Sequence, residues 1–327
     1  MSRFDFYFYF FHSLFFMPQK YKTALVTGGA GFIGSHIVDA LIRRHIKVYV
    51  VDDLSRGFTK NVNPNAHFTK ISILNPQIPK LMEKIAPDVV FHCAAQIDVR
   101  KAVADPPFDA EANILGTLKI AHLAGKVGVK KFIFCSTGGA MYSDTVRPPH
   151  SEKVPADPIS PYGIAKRSAE MYLYFEHMVH GMPFVALRYS NVYGPRQRFD
   201  GEAGVIAIFG KKMMEGKQVV INGEGKQTRD YVYVDDVVRS NILAMTRSVS
   251  GIYNIGTGVE TNVNTLFRKI KKITQSSMPE RHGAACSGEV MRSALDCRKA
   301  KKELGWVPQV SLDEGLKKTM AWLQTRE

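Results

Sequence analysis

The stretch "KTALVTGGAGFIGSHIVDALIRR" (22–44) contains a strand, a glycine-rich turn and a helix in immediate succession. The apolar run 22–28 predicts a short buried strand, and the apolar residues of 35–44 recur at helical spacing. Similar units follow along the chain. Apolar runs predict five further strands, at 47–53, 67–73, 87–95, 130–137 and 183–191.

Helical patterns separate most of these strands, notably 113–128 and a helix that begins at Pro161. Continuous apolar runs are typical of parallel strands that are covered on both faces. The alternation therefore predicts an α/β fold with a doubly wound parallel sheet. From about Tyr193 the pattern becomes irregular and glycine-rich, which predicts a smaller C-terminal domain over the carboxyl edge of the sheet.

The glycine-rich turn has the spacing T-G-x-x-G-x-x-G, with Gly28, Gly31 and Gly34 as its glycines and Phe32 and Ile33 inside it. Glycines at this spacing allow a tight turn, and they let backbone N–H groups approach a pyrophosphate closely at the start of a helix. The position between a strand and a helix is what this mechanism requires.

Asp52 ends the second predicted strand. A carboxylate there can accept hydrogen bonds from an adenosine ribose and would repel a 2′-phosphate. We therefore expect the cofactor NAD rather than NADP.

Tyr162 and Lys166 lie one helical turn apart in "ISPYGIAKRSAE" (159–170). Ser160 is a good N-cap, and residues four apart share one helix face, so the phenol and the ammonium point into the same space. A nearby Lys⁺ and an oxidised nicotinamide both favour phenolate, which predicts that Lys166 gives Tyr162 a pKa in a range useful for a base. Gly163 in the first turn indicates close packing. Thr137, at the end of the strand 130–137, adds a hydroxyl at the carboxyl edge of the sheet.

The formal net charge is +14, but the basic residues are scattered along the chain. There is no zinc-finger spacing and no RNA-recognition aromatic motif, so we expect no nucleic-acid partner. The four cysteines show no Cys-x-x-Cys spacing. We expect no disulfide framework, no metal site and a reducing cytoplasmic location.

The first 16 residues, "MSRFDFYFYFFHSLFF", form an aromatic extension that differs from the rest of the chain. The run is too short for a membrane span and has no small-residue cleavage site. We expect no firm membrane association, and we expect translation to start at Met17.

Several motifs together resemble the extended short-chain dehydrogenases/reductases, and specifically the nucleotide-sugar epimerases. The resemblance runs from about residue 20 to about residue 323. Its segments are "TGGAGFIGSH", "VVDDLSRG", "FHCAAQIDVR", "NILGT", "STGGAMY", "SPYGIAK", "RYSNVYGPRQ", "GEGKQTRDYVYVDDV", "YNIGTG" and "ELGWVPQVSLDEGL".

The resemblance implies a Rossmann domain that binds NAD, formed by 17–190 with 231–257. It implies a nucleotide-sugar-binding domain formed by 191–230 with 258–327. It also implies a UDP-sugar substrate and a homodimer in which the helices at 113–128 and after Pro161 pair. The implied reaction is 4-epimerisation of a UDP-hexose, such as UDP-glucose or UDP-galactose and their N-acetylated forms, through a 4-keto intermediate.

The resemblance also assigns roles to individual residues. The catalytic residues it implies are Thr137, Tyr162 and Lys166. The cofactor side includes Ala94, Ala95, Asn113, Lys166 and Tyr189, besides the glycine turn and Asp52. The substrate side includes Asn191 and Arg229 at the UDP pyrophosphate, Glu289, and Ser293 as a small residue at the sugar-pocket gate.

Three positions depart from the family pattern. Ser72 replaces an acid that contacts adenine, Cys286 replaces a phosphate-binding arginine, and Ser143 replaces the residue after the catalytic segment.

Two other functions are alternatives to epimerisation. Nucleotide-sugar 4,6-dehydratases and decarboxylases of the same superfamily carry an acid just after the catalytic Ser/Thr, whereas Gly138 and Gly139 follow Thr137 here. A non-catalytic NAD- or RNA-binding relative would commonly lack the tyrosine or the lysine.

Overall fold

The structure is a computed structural model that describes residues 21–200, 204–286 and 290–325. The aromatic extension 1–16, the expected start at Met17 and the predicted substrate contact Glu289 lie outside the described residues. No helix in the described part of the chain is long and apolar enough to cross a membrane.

Seven parallel strands form one sheet in the order β10-β6-β5-β4-β1-β2-β3. The order reverses between β1 and β4, and ligands of doubly wound sheets bind at such a point. The six strands predicted from the sequence are all present, so the predicted fold class is confirmed. Their bounds are β1 Thr23–Thr27, β2 Lys47–Asp52, β3 His67–Lys70, β4 Val89–His92, β5 Lys131–Thr137 and β6 Phe184–Tyr189, with β10 Gly251–Ile255 at the edge.

The sheet is covered on both faces, as its apolar strands predict. In β5, Phe132 and Phe134 pack into the core on one face, whereas Ile133 and Cys135 pack into the core on the other. The central strands are therefore held rigidly, and the residues at their carboxyl ends are positioned with them.

Ten α-helices surround the sheets in the described part of the chain, together with a 3₁₀ turn at Thr59–Asn61 and π-helical turns at Glu111–Leu115 and Ala300–Leu304. The predicted helix 113–128 thus begins with a π-helical turn. The helices are α1 Phe32–Ile42, α2 Ile78–Ile85, α3 Val99–Ala104, α4 Pro106–Ala110, α5 Gly116–Lys126, α6 Pro161–His180, α7 Val205–Met214, α8 Val234–Thr246, α9 Val263–Thr274 and α10 Leu312–Gln324.

Helix α6 begins and ends as its sequence predicts. The Ser160 hydroxyl accepts a hydrogen bond from the Gly163 N–H at 3.2 Å, and Pro161 occupies the first turn. Gly181 ends the helix in a left-handed conformation with φ 68°. The start of α6 fixes the position of Tyr162, because Tyr162 follows the capping residue by only two positions.

Two small sheets lie beyond the large one. One contains β7 Asn191–Tyr193, β9 Thr228–Tyr233 and β11 Glu260–Asn262, and the other pairs β8 Val220–Asn222 with β12 Arg281–Gly283. Asn191 lies opposite Tyr231 in the parallel pair of β7 and β9. We propose that these sheets belong mainly to the smaller substrate domain, with β9 crossing the bound at residue 230 given above.

Candidate active site

A cleft of about 320 Å³ runs along the carboxyl edge of the large sheet. The glycine turn lines one end of this first cleft, through Gly28, Gly31, Gly34 and the residues Phe32 and Ile33 between them. Gly31 precedes α1 and has no side chain to cap it, so the first N–H groups of the helix are available to an anion. The turn is packed as the motif predicts, since a Cβ at Gly34 would lie 2.2 Å from the Gly28 carbonyl oxygen.

Asp52 borders both the first cleft and a second cleft of about 450 Å³ beside it. Its carboxylate accepts hydrogen bonds from Ala30 N–H at 2.9 Å and Leu54 N–H at 2.8 Å. Burial raises its pKa. Ser72 lines the second cleft, so this departure from the family pattern lies on the same side as Asp52.

The loop after β4 forms the next part of the wall. Ala94 lines the second cleft and Ala95 lines both. Asn113 is buried behind this loop rather than in the cleft wall: its side-chain amide donates to Gln96 O at 2.8 Å and to Asp109 at 2.9 Å, and its Oδ1 accepts from Gln96 N–H. In the structure Asn113 orients the loop that carries Ala95.

Tyr162 and Lys166 line the first cleft, as the glycine turn does. The Lys166 ammonium donates to the Cys135 carbonyl oxygen at 2.9 Å, lies 4.6 Å from the Phe134 ring centroid and lies 5.9 Å from that of Tyr162. Burial lowers the pKa of Lys166 to about 8. The helical spacing therefore brings the two side chains together, as predicted.

The prediction about the tyrosine pKa was wrong for the chain alone. Burial raises the pKa of the Tyr162 phenol well above its ordinary value, and the nearby Asp109 and Cys135 raise it further. Desolvation of the charged form is the largest of these effects. A cation bound in the cleft would favour the phenolate and counteract this effect.

Thr137 ends β5 opposite Tyr189 on β6, and its hydroxyl accepts a hydrogen bond from Ala140 N–H at 3.2 Å. It does not line either cleft as the described residues define them. Ser136, its neighbour, turns away and donates to the buried Glu170 carboxylate at 2.7 Å. Glu170 in turn pairs with Arg188, whose Nη2 lies 2.6 Å from Glu170 Oε2.

Tyr189, predicted to lie on the cofactor side, also lines the first cleft. Its hydroxyl accepts a hydrogen bond from Asn241 at 2.8 Å and lies 3.4 Å from the Cys135 sulfur. These contacts hold the ring against β5.

The predicted substrate residues Asn191 and Arg229 lie on the neighbouring strands β7 and β9. Among the described residues, the buried Oδ1 of Asn191 has no hydrogen-bond partner. A buried polar atom without a partner is costly, which is consistent with a ligand contact. Arg229 donates to its neighbour Thr228 O at 2.8 Å and is half-buried.

The segment with the predicted gate residue contacts Asp144 through its backbone. Ser293 is buried and follows two residues whose N–H groups, those of Met291 and Arg292, donate to the Asp144 carboxylate. It does not line the two clefts as far as the described residues define them. Cys286 is exposed and accepts a hydrogen bond from Asn222.

One part of the site was not predicted from the sequence. Residues 195–198, which we call the strap, border the first cleft. His36 and Asp39 of α1 contact it, through the Pro195 carbonyl oxygen at 2.9 Å and Arg196 at 2.8 Å. Arg198 donates to the Arg56 carbonyl oxygen at 3.2 Å. Neighbouring arginines in "GPRQR" were the only signal in the sequence, and their partners lie about 140 or more positions away.

Comparisons with known proteins agree with this geometry. Residues 24–256 match the model of the NAD dependent epimerase/dehydratase family. The chain is 43% identical over 300 residues to a protein named putative UDP-glucose 4-epimerase from Methanocaldococcus jannaschii, covering 92% of this chain and 98% of that protein.

Two solved structures are also similar. One is UDP-glucose 4-epimerase from Thermotoga maritima with UDP-glucose, with 49% identity, a TM-score of 0.92, and coverage of 93% of this chain and 99% of that one. The other is UDP-glucose 4-epimerase from Thermus thermophilus in complex with NAD, with 37% identity, a TM-score of 0.87, and coverage of 92% and 99%. This chain therefore belongs to the NAD dependent epimerase/dehydratase family.

Proposed function

We propose that the chain catalyses NAD-dependent 4-epimerisation of a UDP-hexose. The observation that carries the proposal is the first cleft, in which the glycine turn and the Tyr162–Lys166 pair share one continuous wall. A cofactor held at the glycine turn would reach the phenol without leaving this cleft. The similarity to UDP-glucose 4-epimerases supports the sugar nucleotide as substrate.

The residues present fit NAD. A Cβ at Gly28 would lie 2.6 Å from Ala94 N, so only glycine allows the turn to pack against the β4 loop, and Gly28 has a φ of +70°. Gly28 and Asp52 border both clefts, as does Ala95, which supports an adenosine site with Asp52 and Ser72 beside a nicotinamide site with Tyr189. NAD supplies the capacity to accept a hydride from C4 of the sugar and to return it.

The reacting side chains then have defined roles. The Tyr162 phenolate accepts the proton of the sugar 4-OH, and Lys166, held by the Cys135 carbonyl oxygen, supplies the positive charge beside it. Thr137 offers a hydroxyl that bridges the sugar oxygen and the phenol. Asn191 and Arg229 hold the UDP part, since a guanidinium and an amide suit diphosphate oxygens.

The alternative is the dehydratase or decarboxylase class. These reactions need an acid just after the catalytic threonine, and Gly138 occupies that position. A Cβ at residue 138 would lie 2.5 Å from Leu295 Cδ1, so a carboxylate side chain here would require the Leu295 side chain to move. This contact favours epimerisation.

The direct test is product identification. Purified protein is incubated separately with UDP-galactose, UDP-glucose and their N-acetylated counterparts, and the products are identified by NMR. We expect the 4-epimer of each active sugar and no dehydrated or decarboxylated product. A 4-keto-6-deoxy sugar as the main product would contradict the proposal.

The carboxylate of Asp52 leads to a prediction about cofactor choice. Because like charges placed together cost free energy, NAD should bind at least about tenfold more tightly than NADP. Asp52→Asn should narrow this preference, since it removes the charge but keeps the size of the side chain. Calorimetric titration of cofactor-stripped protein measures both affinities, and equal or tighter binding of NADP would contradict the assignment.

The gate position gives a prediction about the sugar. Ser293 is small, so we expect activity on both plain and N-acetylated UDP-hexoses. Ser293→Tyr should lower kcat/KM for UDP-N-acetylglucosamine by at least about tenfold by steric overlap, while activity on UDP-galactose serves as the internal control. Wild-type turnover of UDP-galactose without any turnover of UDP-N-acetylglucosamine would show that the gate is not open.

We further propose that the chain forms a homodimer through α5 and α6. One face of α6 exposes large apolar side chains, and patches of this kind usually mark an interface. They are Met171 at 60% exposure, Tyr174 at 58%, Met178 at 63% and Val179 at 61%.

Light scattering at micromolar concentration tests this prediction. We expect the mass of a dimer for the wild type and that of a monomer for the double variant Met171→Lys and Met178→Lys, because two charges on this face oppose its burial. Val220→Lys, at another exposed apolar residue, is the control and should stay dimeric. A wild-type monomer would overturn the proposal.

A further inference from the structure

Two thiols lie side by side in the first cleft. Cys93 directly follows β4 and Cys135 lies in β5, and the two strands pair in parallel with His92 opposite Phe134. Cys93 and Cys135 are thus the next opposite pair, and their sulfur atoms are 3.2 Å apart. Both residues line the first cleft together with Tyr162. The proposed reaction uses neither thiol.

The backbone places the two cysteines at a distance that a disulfide can bridge. Neighbouring strands lie about 4.7–4.9 Å apart, within the range of about 4.4–6.8 Å between Cα atoms of bonded cysteines. An S–S bond of about 2.05 Å requires the sulfurs to approach by roughly 1 Å. Because β4 ends at His92, Cys93 lies beyond the regular strand, where the backbone can adjust.

We propose that Cys93 and Cys135 form an oxidisable dithiol site that reacts with a hydroperoxide and closes to a disulfide, which stops turnover. The effect on turnover rests on the proposed function, whereas the formation of the bond does not.

The surroundings assign the two thiols different roles. Contact with Cys93, the Tyr189 hydroxyl and the charge of Lys166 hold the pKa of Cys135 below its ordinary value against the opposing effect of burial, whereas contact with Cys135 and burial raise that of Cys93. Cys135 is therefore the thiolate that reacts first, because the thiolate is the nucleophile. Cys93 is the second, resolving thiol.

The reaction balances with one hydroperoxide, here hydrogen peroxide. The Cys135 thiolate attacks one peroxide oxygen, the O–O bond breaks, and the leaving hydroxide takes up a proton as water, which gives a sulfenic acid. The Cys93 sulfur then attacks the sulfenic sulfur, the S–O bond breaks and a second water leaves with the Cys93 proton. Two thiols are oxidised to one disulfide, and the two peroxide oxygens are reduced to two water molecules.

The bond would disturb the catalytic pair through Cys135. The carbonyl oxygen of Cys135 holds the Lys166 ammonium at 2.9 Å, and its sulfur contacts the Tyr189 hydroxyl at 3.4 Å. Movement of Cys135 toward Cys93 shifts both contacts. Misplacement of about 1 Å in an active site can cost about 10²-fold in rate, so we expect a loss of this order that a thiol reductant restores.

The test uses full-length protein that carries Cys286→Ser, which removes the exposed thiol. The protein is treated with hydrogen peroxide, its remaining thiols are alkylated, and peptides are mapped without reduction. We expect a cross-linked pair of peptides that contain Cys93 and Cys135, and loss of turnover that dithiothreitol reverses. Cys93→Ser and Cys93→Ala serve as matched variants and should lose the cross-link, because oxidation of Cys135 then stops at the sulfenic acid or goes beyond it.

Two results would overturn the proposal. One is that Cys93 and Cys135 remain alkylatable after peroxide has inactivated the protein. The other is that the wild-type protein forms the cross-link between Cys93 and Cys135 and keeps full turnover. The peptide map needs no turnover, so it distinguishes failure of this proposal from failure of the proposed epimerase activity.

Discussion

Tyr162→Phe should lower turnover by at least about 10²-fold, the usual contribution of general acid–base catalysis. The substitution removes only the hydroxyl oxygen, and the ring keeps its place beside Lys166 in the cleft. Cofactor affinity should remain nearly unchanged, because the substitution leaves the glycine turn and Asp52 untouched. Steady-state kinetics and a titration with NAD measure the two quantities separately.

Tyr172→Phe is the matched control for this experiment. It makes the same change in the same helix at an exposed residue, and it should leave turnover unchanged. If Tyr162→Phe keeps wild-type turnover, Tyr162 is not the base.

Gly163→Ala should also lower turnover by about 10²-fold, through the position of Tyr162 rather than its chemistry. A Cβ at residue 163 would lie 2.3 Å from the Ala140 carbonyl oxygen and 2.9 Å from Pro158 Cβ. The start of α6 would have to move away from the loop that follows Thr137. Kinetics together with thermal unfolding measure the effect and show whether the variant is folded.

Gly125→Ala provides the control, since a Cβ there meets Glu176 Oε2 at 3.5 Å, an ordinary contact. This variant, in α5, should keep full activity and gain stability from the helix preference of alanine. A folded Gly163→Ala protein with wild-type kcat would show that close packing at this glycine does not position the catalytic tyrosine.

Much of the fold and part of the site follow from local patterns. The apolar runs predicted the strands, and the spacing of Ser160, Tyr162 and Lys166 predicted a capped helix with two side chains on one face. Gly163 predicted the close packing that the structure shows against Ala140. Such features depend on residues that are near one another in the chain.

The features that sequence reasoning missed depend on distant partners. Tyr162 is buried by several elements of the fold, and this burial raises its pKa. No pattern in the neighbouring sequence predicts that burial. Ser136 turns to Glu170 because Arg188, from another strand, completes a buried ion pair. The Asn113 side chain likewise donates a hydrogen bond to Gln96 of the loop after β4, 17 positions away.

The most direct test of the proposed epimerisation follows the hydrogen at C4. Purified protein is incubated with UDP-galactose in D₂O, and the product is examined by proton NMR. If Tyr162 exchanges only the hydroxyl proton and the C4 hydrogen stays within the closed site, UDP-glucose forms with a full proton signal at C4 and no deuterium at C5 or C6. Deuterium on any of these carbons, or no conversion by protein with bound NAD, would contradict the proposed reaction.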